Sequence, residues 1–236
     1  MRPRATPTTP TDGQCAQAAR YVAIITDGNG RWAQSRGAPV SDGHEAGADT
    51  LKARLRDAAE FGIEQLTVYS FSTENWTRPV QEVRGLIAML DQRIAMETPE
   101  LHQEGVRMRF VGRREGVPQK LVERMSWAEQ LTADNRRLTL FIAFNYGGRA
   151  EIVDAARRFT GGGEKAFRRC LYAPDMRDPD LIIRTGSERR LSNYLLWQAA
   201  YSELVFRDEM WPDFTRQALL DSLAEFSERR RRFGQR

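Results

Sequence analysis

The sequence predicts an α/β fold: a single domain with a mostly parallel central sheet covered by helices. Short apolar runs, typical of strands buried on both faces, alternate with segments whose apolar residues recur at helical spacing. This alternation is typical of a parallel sheet with covering helices. The chain has 236 residues, of which 41% are hydrophobic, so it can bury one sizeable core.

The first third of the chain predicts a strand, a helix and a second strand. Residues 21–26 form a continuous apolar run that stops at the turn sequence 27–30. Apolar residues at helical spacing follow over 45–61, and Gly62 is a helix stop signal. Residues 65–71 then predict a second buried strand.

The middle of the chain repeats this pattern. The spacing of apolar residues predicts a long helix over 79–105, and residues 106–111 predict a strand. Because proline favours the first turn of a helix, Pro118 predicts a helix over 118–132. Residues 138–144 predict the next strand.

The last third predicts a helix over 150–159, which three glycines at 161–163 separate from the rest. Residues 181–183 predict a strand, and we expect a further strand at 194–197. The apolar residues over 215–231 lie on one side of a helix, so this segment predicts an amphipathic closing helix.

Composition excludes several classes of protein. Residues 1–19 lack periodicity, and we expect a disordered tail before a domain over 20–236. No run approaches 18 consecutive apolar residues, so no membrane span is predicted. Cys15 and Cys170 cannot form a disulfide framework and predict a cytosolic protein. Two histidines are too few for a His-rich zinc site.

The net charge of +4 suits nucleic acid, an anionic membrane surface or a phosphorylated small molecule equally well. No basic stripe is interleaved with aromatic residues, so no nucleic-acid partner is predicted. The arginine cluster at 229–232 is more typical of a solvated helix end.

The segments that follow the strands are where function is expected, because ligands bind beyond the carboxyl ends of parallel strands. After the first strand, Gly28 and Gly30 allow close approach of the backbone to a ligand, and Asp27 precedes them. An acid beside a phosphate cradle suggests Mg²⁺, which binds one or two carboxylates plus substrate phosphates. A plain Asx turn and a dinucleotide fingerprint remain open interpretations.

Two later segments carry similar chemistry. Residues 72–79 combine hydroxyls, an acid, an amide, Trp76 and Arg78, although Trp76 could be core packing and Arg78 a surface charge. Residues 184–193 place arginines and hydroxyls around a Gly–Ser turn, which suits a diphosphate. Glu203, a lone acid in an apolar run, is a candidate Mg²⁺ ligand or arginine partner.

Separated motifs in a fixed order carry a resemblance that spans residues 21–234. They are DGNGRWA at 27–33, GH at 43–44, YSFSTENW at 69–76 with Arg78 and Pro79, NYGGR at 145–149, RTG at 184–186, RLSN at 190–193, LLWQ at 195–198, YSEL at 201–204 and WP at 211–212. The chain resembles the cis-prenyltransferases, which include undecaprenyl diphosphate synthase. The DDxxD pair of the unrelated trans-prenyltransferases is missing.

The resemblance implies a cis-prenyltransferase-like fold and a reaction. In that reaction an allylic diphosphate is elongated by isopentenyl diphosphate, which releases pyrophosphate and leaves a Z double bond. The resemblance also implies Mg²⁺ and a homodimer. We therefore expect an Mg²⁺-dependent prenyltransferase that is cytoplasmic, with at most peripheral membrane association.

The resemblance also implies roles for individual residues. Asp27 matches a metal and diphosphate aspartate, Glu203 a second Mg²⁺ carboxylate, and Asn75 a proton acceptor. The residues expected around the allylic diphosphate are Gly28, Asn29, Gly30, Arg31, Trp32, His44 and Arg78. Those expected over the reacting atoms are Ser72, Thr73, Glu74, Asn75 and Trp76. Those expected to clamp isopentenyl diphosphate are Arg184, Arg190, Leu191 and Ser192. The segment 232–234 resembles one that reaches the partner subunit's active site.

Some residues depart from the family pattern. Val40 stands where the family commonly carries an arginine that binds the allylic diphosphate, which puts the starter in question. The growing apolar tail needs a tunnel, for which the candidate lining residues on the long helix are Leu86, Ile87, Leu90 and Ile94. Phe141 and Phe144 on the fourth strand are bulky, and we hypothesise that they truncate this tunnel and favour a short product.

Two alternative functions stay open. A non-catalytic or weakly active dimer subunit that binds isoprenoid diphosphates would typically lose Asp27 and the loop with Asn75, and both are present. A nucleotide-dependent oxidoreductase built on Gly28 and Gly30 would leave the arginine-rich loop at 184–193 unexplained.

Overall fold

The computed structural model describes residues 18–229 and contains one six-stranded parallel sheet. Its strands are β1 (Tyr21–Ile25), β2 (Gln65–Ser72), β3 (Val106–Val111), β4 (Leu138–Tyr146), β5 (Leu181–Arg184) and β6 (Glu203–Phe206). The predicted α/β class is confirmed, since helices follow most of the strands. Most of the expected tail, residues 1–17, and the 232–234 segment lie outside the described residues.

The strand order is β3-β4-β2-β1-β5-β6, and every pair in it is parallel. The chain leaves β1 toward β2 and later crosses to the other side of β1, where β5 pairs with it. A crevice therefore forms beyond the carboxyl end of β1, as is general for sheets whose strand order reverses. The topology places the loops after β1, β2 and β5 around this crevice.

Helices enclose the sheet. They are α1 (Asn29–Ser35), α2 (Val40–Glu60), α3 (Val80–Gln103), α4 (Gln119–Leu131), α5 (Gly148–Arg158), α6 (Gly163–Arg168) and α7 (Arg216–Glu228). Alternate residues of β1 enter two different buried clusters, Val22 and Ile24 on one face and Ala23 and Ile25 on the other. Burial on both faces explains why this strand has a continuous apolar sequence.

Three expectations about elements need correction. Residues 194–197 do not form a strand, because Asn193 and Leu195 have φ of 64° and 43°, in the left-handed region that a strand does not use. The sixth strand is instead β6, which begins at Glu203. The helix expected from residue 45 begins at Val40. Ala19, expected in the tail, is buried in the core.

Candidate active site

Asp27 lies at the carboxyl end of β1, between two arginines. Its Oδ2 accepts a hydrogen bond from Arg184 Nη2 at 2.8 Å, and its Oδ1 accepts one from Arg31 Nη2 at 3.2 Å. Arg184 is the last residue of β5, and its side chain is only 5% exposed. Two cations on one carboxylate make a site with excess positive charge, which suits an anionic ligand.

The backbone around Asp27 is held tightly. Thr185 Oγ1 donates to the Asp27 carbonyl at 2.7 Å and accepts from the Asp27 amide at 3.0 Å. Gly28 has φ of 111° and Gly186 has φ of 82°, a region where other residues are strained. A Cβ on Gly186 would also lie 3.1 Å from the Asp27 carbonyl oxygen, so the absence of a side chain lets the two loops pack closely.

The loop after β5 surrounds the Arg184 guanidinium. Arg184 Nη1 donates to Ser192 Oγ at 2.7 Å and to the Arg190 carbonyl. The Arg190 side chain is exposed and pairs with Glu188, whereas Leu191 packs against the buried cluster below. The structure thus brings together Arg184, Arg190 and Ser192, and it places Leu191 in a packing position.

The loop after β2 forms a short 3₁₀ helix, Thr73–Thr77. A capping box begins it, in which Asn75 Oδ1 accepts from the Ser72 amide at 2.9 Å. Glu74 accepts from Asn193 Nδ2 at 2.8 Å. Burial alone would raise the pKa of Glu74, but hydrogen bonds from Asn193, its own amide and Thr73 lower it, so Glu74 is a carboxylate at neutral pH.

The side chains of Trp76 and Trp32 both contact other parts of the protein. Trp76 Nε1 donates to Asn145 Oδ1 at 2.8 Å, and its ring packs edge-on against Phe71. Trp32 Nε1 donates to Asp213 Oδ1 at 2.8 Å. The core-packing interpretation of Trp76 therefore describes its contacts, and both indoles hold neighbouring segments in place.

His44 and Arg78 line the other side of the cleft. Arg78 Nη1 donates to Glu82 Oε1 at 3.0 Å, and His44 Nε2 lies 3.9 Å from the same carboxylate oxygen. Burial and the nearby Arg78 lower the pKa of His44, so its imidazole is neutral at pH 7. Val40 lines this cleft together with Arg31.

Three buried polar atoms in this cleft have no hydrogen-bond partner within the described residues: Asn29 Oδ1, His44 Nε2 and Arg184 Nε. Buried polar atoms are rarely left unpaired in a folded protein. Their clustering beside Asp27 fits a polar ligand that would complete their hydrogen bonds.

The polar cleft opens onto an apolar channel. The cleft has a volume of about 640 Å³, and the channel about 120 Å³. Both are lined by Asn29, His44 and Leu86, so they meet there. The channel runs between the sheet and helices α2 and α3, and its apolar lining includes Leu51, Leu55, Val68, Phe71, Leu86, Leu90, Ile94, Leu140, Ile142 and Phe144.

Two residues proposed for the tunnel do not line the channel. Phe141 is fully buried on the opposite face of the sheet, in the cluster with Tyr21 and Ile25. Side chains alternate across a strand, so Phe141 and Phe144, three residues apart, point to opposite faces. Ile87 packs against the core beside the channel and does not line it.

Glu203 is not brought near Asp27 within one chain, contrary to the expectation that they share an ion. Glu203 pairs in register with Leu181, the first residue of β5. Asp27 lies beyond the end of β1, next to Arg184, the last residue of β5. Three residue steps of about 3.3 Å separate Leu181 from Arg184, so the two acids lie roughly 10 Å or more apart. Glu203 Oε2 instead accepts from Arg229 Nη1 at 3.0 Å.

The cleft offers a carboxylate, that of Asp27, as a ligand for Mg²⁺. Among residues 18–229 no cluster of three or more acids, histidines or cysteines could hold a metal by itself. Mg²⁺ often keeps its waters and binds through one or two carboxylates plus substrate phosphates. Asp27, 27% exposed and facing the cleft, offers one such carboxylate.

Comparison with known proteins identifies the family. A family model described as "Putative undecaprenyl diphosphate synthase" matches residues 25–234. The chain belongs to this family. It is 49% identical to an isoprenyl transferase of Thermotoga maritima over 91% of this chain and 96% of that protein. It is 47% identical to isoprenyl transferase 2 of Bradyrhizobium diazoefficiens, over 93% of this chain and 91% of that protein.

A solved structure has the same fold. Lavandulyl diphosphate synthase from Lavandula x intermedia, in complex with dimethylallyl diphosphate, matches with a TM-score of 0.89 and 33% identity. The match covers 92% of this chain and 99% of the plant chain. The chain is thus a prenyltransferase of the undecaprenyl diphosphate synthase family. No helix within residues 18–229 is long and apolar enough to cross a membrane.

Sequence reasoning missed two side chains that shape this family site. Thr185 holds the Asp27 backbone, and Asn193 joins the loops after β2 and β5. Both stand inside the quoted motifs, so their presence there was visible. Their contacts were not visible, because they join residues more than 100 positions apart.

Proposed function

We propose that this protein elongates an allylic diphosphate with isopentenyl diphosphate, and so makes a Z-polyprenyl diphosphate and pyrophosphate. The observation that carries the proposal is the continuity of the cleft: an arginine-bound carboxylate at Asp27 lies in a polar cavity that opens onto an apolar channel. A diphosphate needs the first part and a hydrocarbon tail the second.

Two groups of residues suit two diphosphates. Arg184, Arg190 and Ser192 would bind isopentenyl diphosphate, because arginine stays charged and matches phosphate oxygens. The loop after β1, with Asn29, Arg31, His44 and Arg78 around it, would bind the allylic diphosphate. Holding both on one protein makes the encounter of two anions effectively intramolecular.

The chemistry forms one carbon–carbon bond, breaks the bond to pyrophosphate and releases one proton. Arg31, Arg78 and Arg184 are fixed before reaction and would stabilise the charge that develops on pyrophosphate. Mg²⁺, if held by Asp27, would supply further charge stabilisation. Asn75 is proposed as the proton acceptor; its side chain is oriented by the hydrogen bond from the Ser72 amide.

Three finer properties belong to this proposal. We propose a homodimer, because β6 is an edge strand and the neighbouring Tyr201 is 72% exposed. We propose a cytoplasmic location with at most peripheral membrane contact. We propose a short product, because the bulky Phe144 side chain lines the channel.

The named relatives are transferases, and nothing in the comparisons favours a non-catalytic subunit or an oxidoreductase.

One assay tests the activity. The purified protein is given radiolabelled isopentenyl diphosphate, Mg²⁺ and each of dimethylallyl, geranyl and farnesyl diphosphate, and products are resolved by length. We expect elongated product from the parent and a loss of roughly 10²-fold or more in Asp27→Ala, which removes the carboxylate between the arginines.

The matched control is Asp178→Ala, which removes another arginine-paired carboxylate, bound to Arg168 and remote from the cleft. It should leave turnover unchanged. Folded Asp27→Ala protein with parental turnover, or a parent that elongates no starter, would contradict the proposal.

A further inference from the structure

Asn193 occupies the point where three segments of the site meet. Its Nδ2 donates to Glu74 Oε1 at 2.8 Å, in the loop after β2. Its Oδ1 accepts from the Arg149 amide at 2.8 Å, and its own carbonyl accepts from the Gly148 amide at 2.7 Å, both at the start of α5. One short side chain therefore joins two segments that precede it in the sequence by 119 and 44 residues.

The backbone at this point is strained and closely packed. Asn193 has φ of 64°, and the preceding Ser192 has φ of 47°. A non-glycine residue in this region persists only when surrounding contacts hold it there. A Cβ on Gly147 would lie 2.6 Å from Thr73 Oγ1 and 2.7 Å from Asn193 Nδ2, so the segments touch with no space to spare.

The contacts on each side of Asn193 lead to the loop proposed to bind isopentenyl diphosphate and to the loop that holds Asn75. On one side Ser192 Oγ accepts from Arg184, which in turn binds Asp27. On the other side Glu74 lies in the capped 3₁₀ helix that orients Asn75. Asn193 is thus a direct polar contact between the loop after β5 and the loop after β2.

Only an amide satisfies both hydrogen bonds of this side chain. Its oxygen faces a backbone N–H, and its nitrogen faces a carboxylate, so the orientation of the amide is determined by its partners. An aspartate would keep the first contact and would bring a carboxylate against Glu74. Substitutions at Asn193 and Glu74 can therefore exchange the donor and the acceptor of this hydrogen bond.

We propose that Asn193 is a positioning residue that holds the loop of Arg190 and Ser192 in register with the loop of Glu74 and Asn75. The inference rests on the proposed function, in which the first loop binds isopentenyl diphosphate and the second carries Asn75 as the proton acceptor. Asn193 acts through Glu74 and does not itself bind the substrates. Its loss should slow the reaction between bound substrates more than it weakens the binding of either diphosphate.

The test reverses the polarity of the pair. Asn193→Asp places two carboxylates in contact, and we expect kcat to fall about tenfold, within the range of coupling between contacting residues. The Kd for inorganic pyrophosphate, measured by calorimetry, should stay within threefold because Arg184 is unchanged. Adding Glu74→Gln to Asn193→Asp restores a donor facing an acceptor, and kcat should return to within threefold of that of Glu74→Gln alone.

Two further variants complete the design. Asn193→Gly accepts the positive φ and removes both side-chain hydrogen bonds, so it should also lose kcat about tenfold even if Asn193→Asp fails to fold. Asn135→Asp is the control, because the Asn135 amide nitrogen donates to the backbone carbonyls of His102 in α3 and Val106 in β3. It should keep the parental kcat.

The inference is overturned if Asn193→Gly keeps kcat within twofold of the parent, or if the double variant is as slow as Asn193→Asp. Arg190→Ala separates this failure from failure of the proposed function. Slow Arg190→Ala beside fast Asn193 variants refutes only the positioning role. Parental activity in Arg190→Ala refutes the assigned role of the loop itself.

Discussion

Phe144 offers the sharpest test of how the channel limits the product. Its ring lines the channel, is 3% exposed and stacks on Phe71 with ring centroids 5.1 Å apart. Phe144→Ala removes a benzene-sized group, and an apolar cavity of about 150 Å³ is known to hold benzene. The channel volume of about 120 Å³ would therefore grow by a similar amount, enough for roughly one more five-carbon unit.

We expect Phe144→Ala to shift the product distribution to longer chains by at least one isoprenoid unit. The substitution should also lower the free energy of unfolding by about 3–5 kcal/mol, as large-to-small changes in a core do. Product length is measured with radiolabelled isopentenyl diphosphate and each allylic starter, and stability by urea unfolding.

Phe141→Ala is the matched control, because Phe141 has the same side chain on the same strand and is fully buried on the opposite face of the sheet. It should cost similar stability and leave product length unchanged. If folded Phe144→Ala makes the parental products, or if Phe141→Ala lengthens them equally, the channel does not set product length at this residue.

Two further predictions concern the polar cleft. Thr185→Val removes the hydroxyl that holds the Asp27 backbone. We expect the free energy of unfolding, measured by urea unfolding, to fall by about 1 kcal/mol, and kcat/KM to fall about tenfold. An unchanged kcat/KM would refute the role of Thr185. His44 has a lowered pKa because of burial and Arg78, so the unfolded chain binds more protons and stability should fall as pH drops below about 6.5. Unfolding curves between pH 5 and 8 should show a smaller decrease for His44→Gln, and an equal decrease would count against this assignment.

The pattern of the sequence was sufficient for the architecture. A run such as 21–25 is apolar at every position only because both faces of the strand are covered, so its period and length predict a buried parallel strand. Local chemistry likewise placed Asp27, Ser72 and Arg184 after strands, and parallel strands bring their carboxyl ends to one edge of a sheet. These inferences need only the spacing of residues along the chain.

Tertiary structure alone decided which of these residues meet. Glu203 begins β6 and Asp27 follows β1, so the register of β5 and β6 places the two acids at opposite ends of the sheet, and Glu203 pairs with Arg229. The segment 194–197 has an apolar sequence suited to a strand, yet Leu195 and the preceding Asn193 adopt left-handed backbone, and Asn193 contacts Glu74. Contacts between residues far apart in sequence depend on register and packing, and those are properties of the whole fold that no local pattern encodes.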